Sequence, residues 1–188
     1  MPILDHFRLI APIYDRIFSP GERGKLIEKI DLTNDGVLLD AGGGTGRISQ
    51  FFRDQSERIV IADLSFDMLL QANEKKGLYT VCTHTENLPF QDSIFDRIIM
   101  IDALHHVCDQ AETAKELMRV LKPGGKILIE EPDINRLGVK ALAVAEKLLG
   151  MRSHFLSPVE IANLFNGCSI DIQSEGAIAW IMIESQLI

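Results

Sequence analysis

Four glycines crowd into five residues of Asp40-Ala41-Gly42-Gly43-Gly44-Thr45-Gly46, directly after the apolar run Val37-Leu38-Leu39. Glycine accepts positive φ and lets a ligand come close to the backbone, so such a turn between a strand and a helix can seat a small molecule. A tight connection needs fewer glycines than this. Asp40 narrows the chemistry. A carboxylate at the strand tip repels a pyrophosphate and suits a ligand with N–H donors or a positive charge. A second acid, Asp63, ends the next apolar run in Ile61-Ala62-Asp63-Leu64-Ser65. It can accept both hydroxyls of a ribose. It could also serve as the N-terminal acid of the helix opened by Ser65; the nearby glycine turn favours the ribose.

A second group of candidates sits further along. His105 and His106 follow Asp102-Ala103-Leu104 at the end of a later apolar run. Histidine can act as a general base or orient an acceptor, although packing and solvation would also account for the pair. His105, nearer the strand end, is the catalytic candidate. Glu130 and Glu131 end another run, where a regular strand sends them to opposite faces; a solvated strand end is expected. Arg136 and Arg152 could recognise an acidic acceptor but read as solvated. The three cysteines, Cys82, Cys108 and Cys168, contain no C-x-x-C and read as buried reduced thiols, so no metal site is expected.

These residues are positioned by an alternation of short apolar runs and helical stretches. Val37–Leu39, Ile59–Ile61, Ile98–Ile101 and Ile127–Ile129 are solidly apolar, as in strands covered on both faces. Leu78–Cys82 is a weaker strand. A helix after Ser65 carries Phe66, Leu69, Leu70 and Asn73 on one side. Asp109-Gln110-Ala111-Glu112 reads as a capping box before a helix with Ala111, Ala114, Met118 and Leu121 inward. Pro158 opens a helix that Gly167 ends. Leu137–Leu149 is helical and apolar nearly all round, which predicts burial in the core, along a substrate pocket or in a homodimer interface. Helical stretches at 3–18 and 22–31 precede the first strand. At the tail, 169–174 and 178–184 are separated by three residues, which makes a hairpin with one antiparallel strand.

The pattern predicts an α/β fold with a doubly wound, mainly parallel sheet. It fits a single domain over 1–188: an N-terminal helical segment (1–35), a ligand-binding core (36–131), a short lid or substrate segment (132–156), and a C-terminal helix with hairpin (157–188). The chain is 46% hydrophobic and 24% charged, enough apolar material for one sizeable core. A net charge of −8 without a basic cluster argues against a nucleic-acid partner. Asp5 and Arg8 interrupt the N-terminal apolar stretch, so no signal peptide is read there. No run is long enough for a membrane span. A cytoplasmic location follows as the expectation.

The glycine turn, Asp63, Glu86-Asn87-Leu88-Pro89-Phe90 and Leu121-Lys122-Pro123-Gly124-Gly125-Lys126 together resemble the motifs of class I S-adenosylmethionine-dependent methyltransferases. The subgroup they are similar to resembles the ubiquinone/menaquinone-biosynthesis enzymes. The likeness runs from about Leu9 to Glu131. It implies a Rossmann-like sheet of seven strands, one antiparallel, with S-adenosyl-L-methionine as cofactor. By this resemblance Asp40, Ala41 and Gly42 to Gly44 hold the methionine end, with Asp40 near its amino group. Asp63 binds the ribose. Leu64 and Met68 pack near adenine, and Glu86, Asn87 and Leu88 line its other side. Ile101 and Asp102 flank the cofactor, and Tyr14 closes over it. The family often carries an aspartate where this chain has His84. The function expected is methyl transfer to a small-molecule acceptor. A cofactor-binding module without catalysis, acting as a partner or regulator, is the alternative.

Overall fold

The computed structural model describes residues 23–32, 35–148, 151 and 153–186. Tyr14, Arg152 and the helical stretch expected at 3–18 lie outside them. The second expected N-terminal stretch is α1 (Arg23–Ile30).

Seven strands form one sheet: β1 (Val37–Ala41), β2 (Arg58–Asp63), β3 (Leu78–Cys82), β4 (Phe95–Ile101), β5 (Leu121–Pro132), β6 (Ser169–Glu175) and β7 (Ile178–Glu184). Their order is β3-β2-β1-β4-β5-β7-β6. Neighbours among β1 to β5 run parallel, and β7 is antiparallel to both β5 and β6. The fold is therefore the mainly parallel α/β sheet with a C-terminal antiparallel strand that the sequence predicts.

Two apolar layers cover the sheet, and the strands feed them by strict alternation. Leu38, Ile59, Ile61, Ile99 and Leu128 enter the layer that holds Phe52 and Trp180. Leu39, Val60, Ile98, Met100, Ile127 and Ile129 enter the layer with Leu104, Leu117 and Phe165. Each such side chain, fully buried, contributes about 1.5–3 kcal/mol of transfer free energy. Burial on both faces explains why these strands show no polar alternation.

The helices depart from the sequence reading in their faces and ends. The turn after the glycines is a 3₁₀ helix (Ser49–Gln55), not a regular α-helix. In α2 (Phe66–Asn73) the buried residues are Met68, Leu69 and Ala72, while Phe66 and Leu70 face solvent. In α3 (Gln110–Val120) the buried residues are Thr113, Ala114, Leu117 and Val120; of the expected stripe Ala114 and, just past the helix end, Leu121 are buried, Met118 is half-buried and Ala111 is exposed. Only half of its capping box forms. Asp109 accepts from the Glu112 N–H, but the Asp109 N–H donates to Glu86 and the Glu112 side chain pairs with Lys115. The box is complete instead at α5 (Pro158–Ala162), which stops at Ala162, short of Gly167.

The largest departure from burial in the core is α4 (Leu137–Leu148). Only Val139 is buried in it, and Leu137, Leu142, Val144 and Leu148 are exposed. Apolarity all round predicts a covered helix, and this one is not covered by the described residues. The cysteines are also displaced from expectation: Cys82 and Cys108 are exposed and Cys168 is half-buried, all as free thiols.

Candidate functional site

The strand order reverses at β1, whose neighbours are β2 on one side and β4 on the other. Connections leave in opposite directions there, which opens a crevice at the carboxyl ends of the strands. The registers Asp40↔Ile61 and Asp40↔Ile99 bring the tips of β1, β2 and β4 level, and Ile101↔Glu130 adds β5. Most of the predicted site residues therefore share one edge of the sheet.

At the tip of β1, Ala41 is fully buried and Gly42 turns the chain with φ +73°. The Gly42 N–H donates to the Ala62 carbonyl at 2.7 Å, which ties the turn to β2. A Cβ on Gly43 would stand 2.5 Å from Asp40 Cγ. The Asp40 carboxylate therefore lies underneath the turn. It is 2% exposed and accepts from Ser49 Oγ at 2.5 Å. Burial pushes its pKa up to about 7, and the Ser49 hydrogen bond only partly offsets this. Asp40 thus supports the turn from within.

The titration has a consequence for stability. In the unfolded chain an aspartate ionises near pH 4, whereas folded Asp40 stays protonated to about pH 7. The stabilisation linked to its raised pKa is complete below about pH 4 and is lost as pH rises through about 7. Asp40→Asn, which keeps an acceptor for Ser49, should match the parent near pH 4 and exceed it by up to about 4 kcal/mol near pH 8. Denaturant unfolding at several pH values checks this; a pH-independent difference between the two proteins contradicts it.

Asp63, at the tip of β2, braces the other side of the turn. Its Oδ2 accepts from the Gly44 N–H at 2.8 Å and its Oδ1 from the Ser65 N–H at 2.7 Å. It therefore does perform the helix-start role. Gly44 has φ +53°, and among the described residues a Cβ there would meet nothing nearer than Asp63 Oδ2 at 3.9 Å. An open cradle thus lies between the turn and a carboxylate.

Around this cradle the expected lining divides. Leu64 is 48% and Phe66 62% exposed, so they supply the apolar surface beside Asp63, whereas Met68 and Leu88 are each 3% exposed. The surface expected from Met68 and Leu88 is not offered to a ligand. Glu86 Oε1 accepts from the Cys108 and Asp109 N–H groups, which fixes the start of α3. Asn87 and His84 are exposed. Ile101 is half-buried, and Asp102 follows with φ +54°, a left-handed conformation that aspartate tolerates.

The histidines fall into a buried network that sequence reasoning placed only in part. His105 is 2% and Glu131 4% exposed, and His105 Nδ1 lies 2.5 Å from Glu131 Oε2. Glu131 Oε1 also accepts from the Ala103 and Leu104 N–H groups at 2.9 and 2.7 Å. The expectation that Glu131 ends a solvated strand is therefore overturned. Alternation along β5 sends it to the layer holding Leu104, while Glu130 takes the other face and accepts from Trp180 Nε1. Burial works against a charged His105, but the Glu131 hydrogen bond and charge outweigh it and raise its pKa. Burial, with His105 beside it, pushes His106 down to about 3. The His105 ring stacks on Phe155 at 4.3 Å. Arg136 is exposed beside Asp133, as a solvated residue would be.

A doubly wound sheet with a glycine turn at one strand tip and a carboxylate across from it, at the switch point, defines a nucleoside-cofactor-binding α/β domain. Comparison with known proteins then resolves the family. A methyltransferase-domain family model matches residues 39–129. A demethylmenaquinone methyltransferase of Thermobifida fusca is 33% identical over 138 residues, covering 66% of this chain and 58% of that protein. An uncharacterized methyltransferase of Staphylococcus carnosus is 30% identical over 141 residues, covering 69% and 67%. An S-adenosylmethionine-dependent methyltransferase of Thermotoga maritima shares the fold with a TM-score of 0.78 at 21% identity, covering 96% of this chain and 98% of that one. The chain belongs to the S-adenosylmethionine-dependent methyltransferases, and it is similar to ubiquinone/menaquinone-biosynthesis methyltransferases. It spans about half to two thirds of the length of these relatives. The family's methyl donor is S-adenosylmethionine. The cradle beside Gly44, the Asp63 carboxylate at its rim and the exposed Leu64 fit a nucleoside of that kind.

Proposed function

We propose that the protein transfers a methyl group from S-adenosylmethionine to a small-molecule acceptor. The observation that carries this reading is the open cradle between the Gly42–Gly44 turn and Asp63, at the tips of adjacent parallel strands. When bound, S-adenosylmethionine supplies a methyl on a sulfonium with its own leaving group, so the chain needs little covalent chemistry. Asp63 accepts the ribose hydroxyls while it keeps its backbone bonds. Leu64 covers one face of the adenine. Asp40 holds the turn from below, and Asp102 flanks the donor. The T. fusca relative's name, demethylmenaquinone methyltransferase, favours a quinone-type acceptor, and the aromatic pair His105–Phe155 suits a flat ring. His105 orients that acceptor in this reading. No helix among the described residues is long and apolar enough to cross a membrane; a cytoplasmic enzyme is the reading adopted.

Calorimetry tests it. S-adenosylmethionine and S-adenosylhomocysteine should bind one to one, and a nicotinamide dinucleotide should give no heat. Asp63→Ala loses two hydroxyl bonds to a carboxylate worth at least about 1.5 kcal/mol each, so its Kd should rise at least about 100-fold. A parent protein silent toward S-adenosylmethionine would remove the basis of the proposal.

A further inference from the structure

We infer that His105, His106 and Glu146 form a binding site for a divalent first-row transition-metal ion, next to the glycine turn. One ligand atom from each lies within 4.8 Å of the others. Ligands on a single ion at about 2.1 Å stand roughly 3–3.5 Å apart, so small rotamer adjustments would close the set.

Three features distinguish this cluster from a chance meeting of polar groups. Glu146 belongs to the exposed helix α4, yet its Oε2 is buried and has no hydrogen-bond partner among the described residues. An uncompensated buried carboxylate oxygen is costly, and a cation removes the cost. His105 is already arranged as a ligand. Glu131 occupies its Nδ1, which leaves Nε2 to coordinate, and a carboxylate behind a histidine is the usual support of a metal-binding imidazole. That carboxylate is itself fixed by two backbone N–H groups, and Phe155 holds the ring plane. His106 is oriented in turn by Ser153, whose Oγ lies 3.3 Å from Nδ1.

Ligand chemistry selects the ion. Two imidazoles and one carboxylate suit zinc, iron, cobalt or nickel, whereas magnesium and calcium take oxygen ligands. Three protein ligands leave open coordination positions. The turn that carries the histidines abuts the glycine turn, since a Cβ on Gly42 would stand 2.6 Å from Ala103 Cβ. On the methyltransferase reading, an acceptor oxygen in an open position would sit beside the methyl donor, so the acceptor class is one with a coordinating hydroxyl or carbonyl. The sequence does not announce the set, because the two histidines are adjacent and Glu146 lies far along the chain.

The test uses untagged full-length protein stripped with a chelator. Zn²⁺ and Co²⁺ are titrated in competition with a chromogenic chelator, Mg²⁺ serves as the hard-ion control, and S-adenosylmethionine heat is measured on the same samples. One equivalent of Zn²⁺ should bind, Co²⁺ should develop visible absorption, and Mg²⁺ should not compete. Glu146→Gln and His106→Ala should each weaken Zn²⁺ binding by at least about 100-fold while keeping the parent's circular dichroism. No stoichiometric binding, or equal affinity in parent and both variants, overturns the site. S-adenosylmethionine heat without metal binding overturns the metal site and leaves the cofactor reading standing. Metal binding without that heat supports the site and fails the cofactor reading instead.

Discussion

Glu131→Ala is expected to destabilise the protein by about 3–5 kcal/mol, the loss typical when one partner of a buried ion pair is removed. The side chain is 4% exposed and serves three donors: His105 Nδ1 and the N–H groups of Ala103 and Leu104. Alanine leaves all three without an acceptor where water does not reach, and each orphaned donor costs about 1–3 kcal/mol. Domains of this size are stable by roughly 5–15 kcal/mol, so the variant should sit near the edge of folding. Urea unfolding measures it. Glu131→Gln separates the causes, because it still accepts from the backbone groups but removes the charge beside His105; it should fall between the parent and alanine. A double-mutant cycle with His105→Ala should return coupling of at least about 1 kcal/mol. A loss below about 1 kcal/mol for Glu131→Ala would mean that the network is not what holds the β4–α3 connection.

The same network shows why part of the site escapes a reading of the sequence. The strands were legible because burial on both faces leaves an unbroken apolar run, and Leu38 and Leu39 go to different layers without any polar residue between them. Asp63 was legible because it follows such a run and precedes a helix start. Glu131 was not, because an acid next to a proline at a strand end looks solvated until its partner is known, and that partner is 26 residues away in sequence. The doublets His105-His106 and Glu130-Glu131 were the available signal: alternation along β5 requires one acid of its pair to enter the layer that holds Leu104. Helix faces failed for a related reason. In α3 the polar Thr113 is buried because it meets Thr85 Oγ1 at 3.1 Å, a contact no amphipathic count contains. In α4 apolarity implied a cover that the described residues do not provide.

Gly42→Ala and Gly44→Ala should fail in opposite ways, and the contrast tests the cradle more sharply than either alone. Both glycines have positive φ, where alanine costs roughly 1–2 kcal/mol. At Gly42 the new methyl would also stand 2.6 Å from Ala103 Cβ. Ala103 cannot retreat easily, because its N–H is held by Glu131. Gly42→Ala should therefore lose at least about 3 kcal/mol of stability, strain and overpacking together. At Gly44 the methyl meets, among the described residues, only Asp63 Oδ2, at 3.9 Å. Gly44→Ala should stay folded with a loss of about 1–2 kcal/mol, the strain alone. Its methyl would project into the space assigned to the nucleoside, so the Kd for S-adenosylmethionine should rise at least about 100-fold, near 3 kcal/mol. Unfolding and calorimetry on the two variants give four values. If Gly44→Ala bound the cofactor like the parent, the space beside Asp63 would not be where the ligand lies. In that case the glycines of this turn would be explained by their neighbours in the fold, as Gly43 is already explained by the carboxylate of Asp40 beneath it.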